Sequence, residues 1–261
     1  MYSLFIMKKW ILCFFMFLFV GAHVVSAQDI QWPTIHNIKN KNAKNVYDRP
    51  YSLWENKVDG KLLGRNTGLL VGASVATMGI LYMMPSSFTN WEDDDDKNPA
   101  KKWWDNVRRG PVWDKDDLFL NYVTHPYAGA VYYMGARSAG ANAAYSFLYS
   151  FALSTFFWEC GIEAFAERPS IQDLVVTPVT GALIGEWFYQ SKRAIKNDGD
   201  KLWGSQALGK TAMFLMDPMT EVTEWLFDDT KIERKNYTFV SHPTVSSSGD
   251  VGYKLRFNLT F

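Results

Sequence analysis

The sequence predicts a mainly α protein, a compact helical bundle with a C-terminal β-hairpin. Two observations predict the bundle. Small residues recur at every fourth position in several stretches, and prolines or polar turns separate those stretches. Rows of this small-xxx-small kind let helix backbones approach closely. A third observation predicts the hairpin. Val251, Tyr253, Leu255, Phe257, Leu259 and Phe261 alternate strictly with Gly252, Lys254, Arg256, Asn258 and Thr260. A period of two is a strand with one apolar face.

Residues 1–27 read as a secretory signal. Met7 opens a basic start, an apolar run follows that is too short to span a bilayer comfortably, and Val25 and Ala27 stand at the small-residue cleavage spacing. Cleavage is expected near Ala27. Residues 28–60 are polar and irregular, an extended N-terminal arm. Residues 61–230 are the helical domain, and 231–261 the hairpin.

The first helix is expected over 61–84, where Gly64, Gly68, Gly72 and Ala76 form a row. Gly costs helix propensity, so the row is expected to serve packing. Pro85 ends this helix. The acidic run at 93–96 reads as solvated charge, because it lacks the spaced ligands and turn glycine of a calcium loop. The segment KKWWDNVRRGPVW suits a surface helix and turn. A second helix is expected over 125–138 and a third over 142–167. A fourth follows over 171–195, with Gly181 and Gly185 one turn apart. Two shorter helices, 201–216 and 219–227, are split at Asp217-Pro218.

Composition excludes some functions. The chain has 261 residues and a formal net charge of +0, so no global field recruits nucleic acid. Beyond the signal, Cys160 stands alone, which excludes an intrachain disulfide and a thiolate zinc cluster. No P-loop, dinucleotide fingerprint, H-E-x-x-H or G-x-S-x-G motif is present, and no cofactor is expected.

The candidate site comes from surplus acids in apolar sequence. Glu159 and Glu163 stand four apart within FALSTFFWECGIEAFA, which on one helix places both carboxylates on one face. Two like charges there need a cation, a metal or a proton. Arg137, Arg168 and His125 are the available partners. Ser170 and Asp173 form the S-x-x-D pattern of a capping box, which is a structural reason for Asp173. His125 opens its helix beside Pro126, where the helix dipole disfavours the cation and suits a neutral imidazole. The candidate polar cluster is therefore His125, Arg137, Glu159, Glu163 and Asp173. Within it, His125, Glu159 and Glu163 are the weak metal candidates.

Together, THPYAGAVYYMGARSAG, the segment from Ser146 to Tyr189 and FLMDPMTEVTEWLF resemble the bacterial family called domain of unknown function 3943. The resemblance covers roughly residues 113–227 and rests on His125-Pro126, Gly129, Tyr132-Tyr133, Arg137, Trp158-Glu159, Glu163, Pro169-Ser170, Asp173, Thr177, Gly181 and Gly185-Glu186. It implies a secreted envelope protein. A weaker similarity to VanZ-like helical proteins rests on the order His, Glu, Arg-x-Ser-x-x-Asp, Gly-xxx-Gly.

Three functions compete. The leading one is a non-enzymatic envelope protein in the periplasm, associated with the outer membrane or a lipid surface through aromatics and the terminal hairpin. The second is an enzyme acting on an envelope lipid or glycan with the His/Glu/Asp cluster. The third is a small polytopic VanZ-like membrane protein.

Overall fold

The computed structural model describes residues 46–48, 55–85, 91, 98–113 and 118–227, together with the backbone of 236–245 and 251–259. The signal, most of the N-terminal arm, the acidic run and Phe261 lie outside the described residues.

Strand β1, Glu55–Asp59, leads directly into helix α1, Gly60–Tyr82. Asp59 caps α1 by accepting the N–H groups of Lys61 and Leu62, each at 3.1 Å. The face that α1 buries is the row Leu62, Asn66, Leu70, Ser74 and Met78. The glycine row lies on the other side, and a Cβ built on Gly64, Gly68 or Gly72 meets nothing within 4 Å. The expectation that this row packs a neighbouring helix is therefore corrected among the described residues. The row is part of the outer surface.

Helix α2, Pro99–Arg109, is the expected surface helix, with Asn98 as its cap and Pro99 at its first turn. It then closes the end of a helix hairpin. Trp103 Nε1 donates to the carbonyls of Cys160 and Gly161, both at 3.0 Å, and Asn106 Nδ2 to that of Ala164 at 3.0 Å.

Helix α3, His125–Arg137, follows a π-helical turn at Leu120–Thr124. Helix α4, Ala143–Ala152, starts at the cap Asn142. It continues as a π-helix over Leu153–Ile162 and ends in a 3-10 turn at Glu163–Phe165. The sequence reads this stretch as one α-helix, and the wider π turn is the difference. Helix α5, Ile171–Asn197, runs without a break through Pro178. Two shorter helices follow, α6, Gln206–Met216, and α7, Pro218–Phe227.

The centre is the α3–α5 pair. A Cβ on Gly129 would stand 2.0 Å from the Thr177 carbonyl oxygen, one on Gly181 2.6 Å from Gly129 Cα, and one on Gly185 2.7 Å from the Tyr133 ring. Only glycine lets these backbones approach so closely. On one side of the pair Ala130, Met134, Phe188, Tyr189 and Met213 form an apolar core that also receives Tyr47. A mainly α fold with closely packed helices is therefore what forms. In the tail the backbone is extended over Asn236–Val245, β2, and Val251–Leu259, β3. The faces those segments present lie outside the described side chains.

The polytopic reading meets a finding against it. Among the described residues no helix is long and apolar enough to cross a membrane.

Candidate functional site

Three elements meet where the α4–α5 hairpin closes. His125 is the first residue of α3, Glu159 lies within the π-helix that extends α4, and Asp173 sits in the first turn of α5. Among the described residues the chain has two π-helical stretches. One ends just before His125 and the other carries Glu159. Such turns are rare and concentrate at functional sites, because the extra residue per turn re-aims side chains.

The bend is tied down from several sides. Arg168 donates to the carbonyls of Arg109 and Gly110, closing the C-terminal end of α2. The backbone of Val112 pairs with Pro169 and Ile171. Ser170 Oγ accepts the Asp173 N–H at 3.1 Å, so the expected N-cap forms. The return half of the capping box comes from another residue. The Ser170 N–H donates to Glu159 Oε2 at 2.9 Å. Capping therefore accounts for one oxygen of Glu159.

The cluster gathers around the His125 ring. Nδ1 stands 3.6 Å from Asp173 Oδ1, 3.8 Å from Glu159 Oε1 and 3.2 Å from Thr177 Oγ1. One ligand atom each from His125, Glu159 and Asp173 lies within 4.8 Å of the other two. Glu159 and Asp173 are buried, while the His125 side chain keeps 13% of its surface exposed. The histidine is thus the edge by which solvent reaches the cluster.

Burial pushes the Glu159 carboxyl up to about 8, with the Ser170 N–H pulling it back and the nearby Asp173 charge adding to the rise. Burial also raises Glu163 well above the ordinary carboxylate range, reinforced by Glu159, Glu167 and Asp173. The two glutamates thus stand close enough for the charge of Glu159 to be one of the causes that raise Glu163. The arginines proposed from sequence stand elsewhere. Arg137 Nε binds Glu186 Oε2 at 2.9 Å, where Tyr133 also donates at 2.5 Å, and stacks on Tyr189. Arg168 is spent on the two carbonyls. The structure thus brings together His125, Glu159, Glu163 and Asp173, and places Arg137 outside the cluster.

Sequence reasoning missed Thr177 as a neighbour of the histidine. The available signal was its place four residues after Asp173, on the same helix face. It also missed a second buried polar group. Lys192 Nζ, fully buried, binds Asp217 Oδ2 at 2.8 Å and Glu221 Oε1 at 2.7 Å. Ser138 donates to Asp217 at 2.5 Å, and Tyr47 to Ser138 at 3.2 Å. Burial opposes the lysine charge, but Asp217, Tyr47 and Glu221 hold it well above its ordinary value. This group ties α5 to the α6–α7 corner.

Residues 110–219 match the family model described as Domain of unknown function (DUF3943). The resemblance read from the motifs is therefore shown over that span, and all four clustered residues lie inside it. No curated protein and no solved structure matches the chain.

Proposed function

We propose that this chain is a cell-envelope protein, exported by its first 27 residues, whose helical body rests on a lipid surface at the outer-membrane side of the periplasm. One observation carries the reading: beside its apolar core, the helical body buries many polar side chains while large apolar ones face outward. Its interior holds Asn66, Ser146, Ser150, Ser154, Thr177 and Lys192, each at most 1% exposed. Its outer faces carry Val75 at 59%, Leu148 at 61%, Phe156 at 65% and Leu183 at 72%. A buried polar residue and an exposed apolar patch are the informative exceptions to ordinary burial.

Charge argues for lipid as the occupant. No Asp, Glu, Lys or Arg occurs in 66–84, 138–158 or 174–185, the runs that supply these faces. The exposed rings of Trp104 and Trp113 flank the basic Arg108 and Arg109, a pairing suited to the headgroup layer. The terminal hairpin belongs to the same proposal. What supports an apolar face on it is the strict alternation of the sequence from Val251 to Phe261. Fractionation of cells expressing the full chain, signal included, tests the reading. The protein is expected in the outer-membrane fraction after salt washing. Full recovery as a soluble monomer would count against it.

The convergence of His125, Glu159 and Asp173 favours a second reading, an enzyme acting on an envelope lipid or glycan. A positioned acid–base pair is worth about 100-fold or more in rate. Release of phosphate or reducing sugar ends from isolated envelope should then fall by about that factor in His125→Ala. Equal release by both proteins would remove this reading.

A further inference from the structure

We propose that His125 Nδ1, Glu159 Oε1 and Asp173 Oδ1 form a binding site for one divalent first-row transition-metal ion of the zinc class. The proposal shares its residues with the enzymatic reading but needs no turnover.

Spacing is the first argument. The nitrogen lies 3.6 and 3.8 Å from the two carboxylate oxygens, beyond hydrogen-bond reach. Neighbouring ligands on a tetrahedral ion with bonds of about 2.0–2.1 Å stand about 3.3–3.4 Å apart. Three such atoms within 4.8 Å of one another need only a small closure to share an ion.

Glu159 supplies the second and independent argument. Its side chain is 1% exposed, and Oε1 is a buried acceptor with no hydrogen-bond partner among the described residues. An acceptor buried in this way costs free energy unless something binds it. Its other oxygen is fixed by the Ser170 N–H, which leaves Oε1 aimed at the His125 ring. Outer contacts of this kind orient metal ligands. Charge is the third argument. Arg137 and Arg168 are engaged elsewhere, so neither guanidinium compensates Glu159. A doubly charged cation would.

One imidazole nitrogen with two carboxylate oxygens selects the metal class. Imidazole suits zinc, copper, iron and nickel, whereas calcium, magnesium and manganese prefer oxygen ligands. Three protein ligands would leave a coordination position open on the side of the partly exposed histidine.

The test uses the mature chain, stripped by chelator and dialysed against Zn²⁺ alone, with bound metal measured by elemental analysis and helix content by circular dichroism. The wild type should bind about one equivalent and gain thermal stability with Zn²⁺. His125→Ala and the nearly isosteric Asp173→Asn should each weaken binding by more than about 100-fold with helix content unchanged. A wild type that binds no Zn²⁺, or variants that bind as tightly as it does, would overturn the site. Neither result bears on membrane fractionation or on envelope turnover, so failure here is distinguishable from failure of those readings.

Discussion

The Glu159 carboxylate is divided between two tasks: one oxygen caps α5 through the Ser170 N–H, and the other faces His125. Its position was legible in the sequence because an acid inside FALSTFFWECGIEAFA has no water to turn to. So was its coupling to Glu163, four residues on. The company of Arg137 was not legible. Its partner Glu186 lies on α5, and which helix faces meet depends on the rotation of α5 against α3. Lys192 was invisible for a similar reason, since nothing local marks a lysine as buried. Its loss should be severe. Lys192→Met leaves Asp217 uncompensated and is expected to cost about 3–5 kcal/mol in denaturant unfolding. An effect under about 1 kcal/mol would mean that water reaches Asp217. Tyr132 gives a pH signature. Burial raises its hydroxyl to about 12, with a hydrogen bond to Ser74 opposing the rise. The neutral form is favoured in the fold, so its contribution is fully present below the ordinary value of 10.0 and is lost as pH rises through about 12. Melting temperature should fall between pH 10 and 12, and the fall should be shallower in Tyr132→Phe.

At the scale of elements, helix positions were legible to within a few residues, because prolines and caps punctuate the chain. Thr124-His125-Pro126, Ser170 and Pro218 each mark a real start. The π-helical turns were not legible, since the same apolar residues serve either winding. Two glycine rows that look alike in sequence separate in the structure. Gly181 presses on Gly129, whereas Gly68 faces open space. Gly181→Ala forces α3 and α5 apart and should cost at least about 1–3 kcal/mol. Gly68→Ala removes backbone freedom without a clash and should stabilise by about 0.5–1 kcal/mol. Chemical denaturation of the two variants side by side checks both signs.

Across the described helical body, buried polar side chains are interleaved with the apolar core, and large apolar side chains also face outward. Asn66 shows how such an interior is held. It donates to the Gly135 carbonyl and Thr220 Oγ1 and accepts from Thr223 Oγ1, so both ends of the amide are satisfied. Composition could not reveal this arrangement, because the same apolar residues also suit an ordinary core. It appears only when each face is assigned. On α5 the exposed row Ile171, Val175, Val179 and Leu183 stands back to back with the buried Asp173, Thr177 and Gly181. One helix thus presents lipid-compatible residues outward and the candidate site inward. The most direct test is flotation of the purified mature chain with phosphatidylethanolamine–phosphatidylglycerol vesicles, compared with the double variant Val179→Glu and Leu183→Glu. The wild type should float with the vesicles in high salt, while the folded double variant should stay at the bottom of the gradient. A wild type that stays at the bottom as a monomer, or a double variant that floats equally well, would contradict a lipid-facing body.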